Sequence, residues 1–189
     1  FTISILIIDF TFFLLSLSSD NWILTDSSIN PSFGPSIDSL IKNGAKSISH
    51  ILSDEWDHLI ITSFLHSGII HFCINFIGIS YYCYHIEILY GFIRTCLIFM
   101  ICSLIGTIYS TIFIPNIITV SGSNGLFGLL GILMIDFILF HYLLQYPKKW
   151  IYFSFLLLSL IIGIILGFLP LIDNIGHIVS FIAGILCGC

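Results

Sequence analysis

Val120-Ser121-Gly122-Ser123-Asn124-Gly125-Leu126-Phe127-Gly128-Leu129-Leu130-Gly131 opens an apolar run with small polar residues and then sets glycines at Gly125, Gly128 and Gly131. In lipid a hydroxyl needs a partner, and regularly spaced glycines let a second helix approach closely. Ser123 therefore falls where a helix begins, near the membrane surface, in a position that another helix can crowd. Taken alone, the stretch reads equally as helix packing behind a serine N-cap. The rest of the chain decides between these readings.

The surroundings of that stretch are apolar throughout. Apolar residues make up 58% of the 189 and charged residues 8%, with a mean hydropathy of +1.12, whereas a soluble domain carries about 25% charged residues. The composition predicts an all-α polytopic membrane bundle, a single domain over 1–189 with room for about six spans of ~20 residues. Span 1 is expected at about 1–18, followed by a long polar loop at 19–57. Span 2 follows at about 59–83, span 3 at 92–114, span 4 at 123–146, span 5 at 150–169 and span 6 at 174–189. Pro115, Pro147 and Pro170 each follow an apolar run and help to end it. The first residue is Phe1 and the chain stops on an apolar run at Cys189, so a fragment of a longer protein is expected. Phe1 to Ser18 lacks a basic leader and a small-residue cleavage site, and it reads as a span rather than a signal peptide.

Charge sets the expected orientation. Arg94, Lys148 and Lys149 lie in short connections on one side, and Lys42 and Lys46 lie in the long loop on the other. Short connections weigh more, which predicts a cytoplasmic N-terminus and a lumenal or extracellular 19–57 loop. The expected compartment is the secretory pathway or the plasma membrane. The loop mixes Trp22, Phe33, Leu40, Ile51 and Trp56 with polar residues, so it is expected to lie partly in the interface and pack on the helices. The six cysteines sit in or beside apolar runs without zinc-ligand spacing and read as small apolar filler. No metal, cofactor or nucleic-acid partner is expected.

Polar side chains inside spans are costly and mark function. His66, His71 and Asn75 fall in predicted span 2, with His71 and Asn75 four apart on one helix face. His177 falls at the start of span 6, on a face shared with Ser180, Gly184 and Gly188. Each residue singly reads as an interhelical tie. Together, a serine, a histidine and two hydrogen-bond donors at similar depth are what acyl transfer needs: a nucleophile, a base beside it, and donors for the developing oxyanion. Small faces on spans 4 and 6 would bring Ser123 within reach of His177.

These residues resemble the rhomboid intramembrane serine proteases, over about Leu40 to Gly188. The family's His, four residues, His, three residues, Asn pattern is matched by His66, His71 and Asn75. Gly44-Ala45-Lys46 and Phe64-Leu65-His66-Ser67-Gly68 are also similar to the family. Its Gly-x-Ser-Gly-x-x-Phe-Gly-Leu-x-Gly segment is matched by Ser123, Phe127, Gly128, Leu129 and Gly131. Its Ala-His-x-x-Gly-x-x-x-Gly is matched by His177 and Gly184, with Gly176 for the alanine. Glu87, Gly91 and Arg94 fall as in its Glu-x-x-x-Gly-x-x-Arg. The resemblance implies that Ser123 is the nucleophile and His177 its base, with His71 and Asn75 lining the oxyanion hole. It further implies that His66 braces loop 1, that Gly128, Gly131 and Gly184 support the helix contact, and that the substrates are single-span membrane proteins in the bilayer.

The chain also departs from the family. Ser121 and Asn124 stand where glycines flank the nucleophile, and Asn124 is expected to crowd the oxyanion contacts. Ser180 replaces a glycine and is expected to loosen the span 4–span 6 contact. His58 stands where the family has an arginine before span 2. The alternative is an inactive rhomboid-like protein that binds membrane clients for quality control or trafficking. A transporter or channel would show inverted repeats or paired broken helices, and neither is visible. Asp9 and Asp136 have no assigned role; Asp136 is expected near the inner interface.

Overall fold

The computed structural model describes residues 1–141 and 149–188. Pro147, Lys148, Cys189 and the last residues of predicted span 4 lie outside the described residues. The chain is all-helical: α1 (Thr2–Ser19), α2 (Ile37–Lys42), α3 (Ile48–Leu52), α4 (His58–Ile61), α5 (Ile69–Tyr90), α6 (Phe92–Phe113), α7 (Asn124–Phe140), α8 (Lys149–Leu166) and α9 (Asn174–Gly188), with a 3-10 turn at Thr62–Phe64. Helices α1, α5, α6 and α8 are long and apolar enough to cross a membrane; α7 and α9 are shorter apolar helices.

Predicted span 2 needs correction at both ends. Residues 58–64 form the short α4 and the 3-10 turn, and the membrane helix α5 begins at Ile69. The apolar run is continuous there, but the loop decides the start. The Ser32 and Phe33 carbonyls accept from Ile70 N–H and Ile69 N–H at 3.2 and 3.1 Å, satisfying donors that a helix N-terminus leaves open. His66 consequently lies in the connection before α5 rather than on the helix with His71 and Asn75. At the other end α5 runs seven residues past the expected stop, to Tyr90, and Gly91 follows as its cap. That glycine adopts φ +81° and joins α5 directly to α6, a conformation that L side chains disfavour.

Helix α7 is the hub, buried continuously from Asn124 to Met134. Its leucines meet Ile79, Tyr82 and Ile86 of α5, Phe99 of α6 and Leu156 of α8 in one apolar core. It packs most extensively on α9. A Cβ on Gly184 would stand 1.9 Å from the Gly128 carbonyl, and one on Gly131 would stand 2.2 Å from the Phe181 carbonyl. The two backbones touch only because side chains are missing there. Helix α8 is peripheral, with Leu156 its one buried side chain among the described residues. At the far end of α7, Asp136 accepts a 2.5 Å hydrogen bond from the Tyr90 hydroxyl, so the partner of this carboxylate is a tyrosine at the end of α5. Asp9, on α1, is buried with neither carboxylate oxygen hydrogen-bonded among the described residues.

The loop after α1 packs on the bundle as expected. Asp20 accepts from Ser36 N–H at 2.6 Å, and Asn30 Nδ2 donates to the Ser67 carbonyl at 2.7 Å. Lys46 is fully buried and donates to Ser110 Oγ and the Ile114 carbonyl at 3.1 and 3.0 Å. Its backbone pairs with Thr119 in both directions. The loop is thereby fastened to the end of α6 and to the strand-like segment that leads to Ser123.

Candidate active site

Three backbone hydrogen bonds hold the segment before α7. Val120 N–H donates to Leu171, Ser121 N–H to Thr62 and Gly122 N–H to Leu65, at 2.9, 2.9 and 3.2 Å. Gly122 is required by close approach: a Cβ there would stand 2.6 Å from the Leu65 carbonyl and 2.8 Å from His66 Nε2. His66 thus packs against the residue before Ser123, with its ring edge-on to His71 and Phe72. So held, Ser123 stands at the N-terminal cap position of α7 without a side-chain capping bond, and its hydroxyl faces His177 of α9.

Ser123 Oγ and His177 Nε2 lie 2.5 Å apart, across fifty-four residues of sequence. Both side chains are buried. Phe127, one turn into α7, stacks face to face on the imidazole, with centroids 4.0 Å apart and planes 9° apart. No hydrogen-bond partner reaches His177 Nδ1 among the described residues, so the stacked ring and the serine fix this imidazole without a carboxylate.

His71 and Asn75 lie on α5, across a cavity of about 190 Å³ that Ser123, Phe127 and His177 also line. The His71 tautomer follows from its neighbours. Ser67 N–H donates to His71 Nδ1 at 3.3 Å, with the Ser67 hydroxyl 3.1 Å away. Since Nδ1 accepts, a neutral ring carries its proton on Nε2. Nε2, like Asn75 Nδ2, has no hydrogen-bond partner among the described residues. Two N–H donors therefore border the same cavity as the serine–histidine pair. Ser67 and Phe127 were visible in the sequence as parts of motifs, but their contacts with the two histidines were not.

The departures from the family pattern resolve differently from expectation. Asn124 turns away from the cavity: its Nδ2 lies 3.4 Å from Thr107 Oγ1 on α6, and its amide sits against Gly106 and Gly176. Ser180 reaches α6 as well, donating to the Cys102 carbonyl at 2.9 Å, and Gly128 and Gly184 remain in backbone contact.

The Rhomboid domain family model matches residues 53–189. RHOMBOID-like protein 7 of Arabidopsis thaliana is 33% identical over 84% of this chain and 50% of its own length. RHOMBOID-like protein 2 of the same plant is 36% identical over the same shares. Inactive rhomboid protein 2 of Homo sapiens is 34% identical over 70% of this chain and 15% of its own length. The chain spans about half the length of the plant relatives. With its apolar helices and this match, it is an integral membrane protein, and it belongs to the rhomboid family.

Proposed function

We propose that this protein is an intramembrane serine endopeptidase that cleaves transmembrane segments of single-span membrane proteins. One observation carries the reading: the 2.5 Å contact between Ser123 Oγ and His177 Nε2 stands on a cavity that the His71 and Asn75 donors also line. Ser123 Oγ attacks the scissile carbonyl carbon while His177 Nε2 takes its proton. His71 Nε2–H, Asn75 Nδ2–H and the Ser123 backbone N–H hold the oxygen that becomes negative, each such donor being worth about 10²–10³ in turnover. Collapse breaks the C–N bond as the imidazolium returns its proton to the leaving amine. Water then attacks the acyl-enzyme, with His177 again the base. The cavity lies between α5 and α8, so a substrate segment enters between these helices. That segment must unwind locally, because an intact helix spends its carbonyls on its own hydrogen bonds.

Cleavage of a single-span substrate in liposomes tests this, with Ser123→Ala and His177→Ala as controls. Both variants abolish cleavage if the dyad is the catalyst; cleavage that persists in Ser123→Ala removes the mechanism. A second reading, an inactive client-binding protein of the secretory pathway or plasma membrane, is favoured by the similarity to an inactive relative. Failure of the unaltered protein to cleave a panel of substrates would select it.

A further inference from the structure

A second cluster lies outside the cavity, in the loop before α5. His50 in α3, Glu55 in the following turn and His58 at the start of α4 converge, with one possible ligand atom from each lying within 4.8 Å of the other two. His50 Nδ1 lies 2.7 Å from Glu55 Oε2, and His58 Nε2 lies 3.4 Å from the same oxygen. The two imidazoles stack 4.9 Å apart at 16°. We propose that these three residues form a site for zinc or a similar divalent transition metal.

The argument turns on His58. Its ring is buried, and its Nδ1 lies 2.8 Å from the Ala45 carbonyl. A carbonyl can only accept, so Nδ1 donates to it, and Nε2 is the ring atom left facing the Glu55 carboxylate. Nε2 and the Glu55 oxygen face one another at 3.4 Å, a separation that a metal ion bound to both atoms accommodates. The same arrangement is the usual one for a ligating histidine, whose second nitrogen donates to a backbone carbonyl and so fixes ring and tautomer. Tetrahedral zinc with bonds of roughly 2.0–2.1 Å separates its ligand atoms by about 3.3 Å. The His58–Glu55 distance already meets that edge. His50 and Glu55 are accessible enough to open theirs, with side-chain exposures of 36% and 50%. Two imidazoles and one carboxylate suit zinc, copper or nickel rather than magnesium or calcium, and leave a fourth position for water.

The sequence alone gives no warning of this, since His50, Glu55 and His58 match no familiar ligand spacing. His58 occupies the position that resembles the family's arginine, so the metal ties this loop where an arginine would. The tie reaches the catalytic segment: α4 runs into the 3-10 turn whose Thr62 carbonyl accepts from Ser121 N–H, two residues before Ser123.

The test is zinc uptake by the full chain, purified in mild detergent, stripped with chelator and titrated against a chromophoric competitor. Cobalt(II) spectra report the ligand type. His50→Ala and Glu55→Gln alter accessible side chains and keep the fold. One equivalent of zinc, a cobalt spectrum without thiolate charge transfer, and affinity weakened about tenfold or more in each variant are expected. Zinc should also raise the thermal midpoint of the unaltered protein more than that of either variant at the same concentration. Uptake well below one equivalent overturns the proposal. So does uptake that neither variant weakens, which would place the metal on the cysteines. The readout is independent of proteolysis, so it stands or falls apart from the proposed peptidase activity.

Discussion

The Asn124 side-chain amide crowds the point where a Cβ on Gly176 would stand: Nδ2 and Oδ1 are each 2.8 Å from that point. The chain has glycine before the histidine and asparagine after the serine, and the rhomboid pattern has the reverse distribution of bulk. The two departures are therefore one exchange across the α7–α9 contact. Gly176→Ala alone overpacks the contact and should cost about 1–3 kcal/mol. Asn124→Gly alone gives up the amide contacts and should cost about 1 kcal/mol. Combined, they should recover part of the loss, with a coupling of about 0.5–3 kcal/mol in denaturant unfolding. Strictly additive losses would show that the two positions do not share space.

Gly184→Ala should be more damaging than any surface change. Its Cβ would enter the Gly128 carbonyl, a backbone atom that no rotamer change can move. Helices α7 and α9 must separate, and the serine–histidine pair spans these same helices. Turnover should fall by about 10²-fold, the scale on which a 1 Å misplacement acts, together with the thermal midpoint. Full activity in this variant would mean that the helix contact does not set the dyad geometry.

Much of this architecture was legible in the sequence, and the reasons for the misses are physical. Helix α6 spans Phe92–Phe113 against an expected 92–114, because Gly91 and Pro115 bracket an apolar run. The start of α5 was misread because Leu59 to Leu65 is as apolar as the helix itself. The break depends on distant carbonyls at Ser32 and Phe33. Spacing put His71 with Asn75 on one helix face, and the depth of the apolar runs put Ser123 near His177. Which way Asn124 turns was not legible, since that depends on Gly106 of another helix leaving room. The loop cluster of His50, Glu55 and His58 was invisible for the same reason: two short helices separated by a turn fold those side chains together.

Tyr82→Phe should raise turnover. The Tyr82 and Ser159 hydroxyls, 2.6 Å apart, join α5 to α8 beside the cavity. A hydrogen bond of this kind contributes about 0.5–1.5 kcal/mol net. If substrate enters between these helices, losing it should speed cleavage of a membrane-embedded substrate by about 2–10-fold and lower stability slightly. Slower cleavage with unchanged stability would place the entry route elsewhere.

Lys46 should leave a signature in the pH dependence of stability. Burial pushes its ammonium below the usual lysine range, with the charge of Asp173 acting in the opposite sense. The unfolded chain then holds this proton more tightly than the folded one. Its cost to folding is present in full below the folded pKa and is relieved as pH rises through that value toward about 10.4. Thermal midpoints should therefore rise more as pH climbs toward about 10.4 in the unaltered protein than in Lys46→Met. Parallel curves would mean that the folded protein holds this proton as tightly as the unfolded chain does.

Asn75→Ala separates a catalytic donor from a structural one. Its Nδ2 has no hydrogen-bond partner among the described residues, so removing the amide breaks no bond of that atom. Stability should change by less than about 1 kcal/mol, as for a group whose partner is absent in the ground state. The same loss should lower kcat by about 10²–10³ with little effect on KM, because the oxyanion exists only in and around the transition state. His71→Ala should behave alike in kcat but also free the Ser67 donors now aimed at Nδ1, and so cost more stability. A fall in stability without a fall in kcat for Asn75→Ala would make this residue an interhelical tie and leave the developing charge to His71 and the backbone.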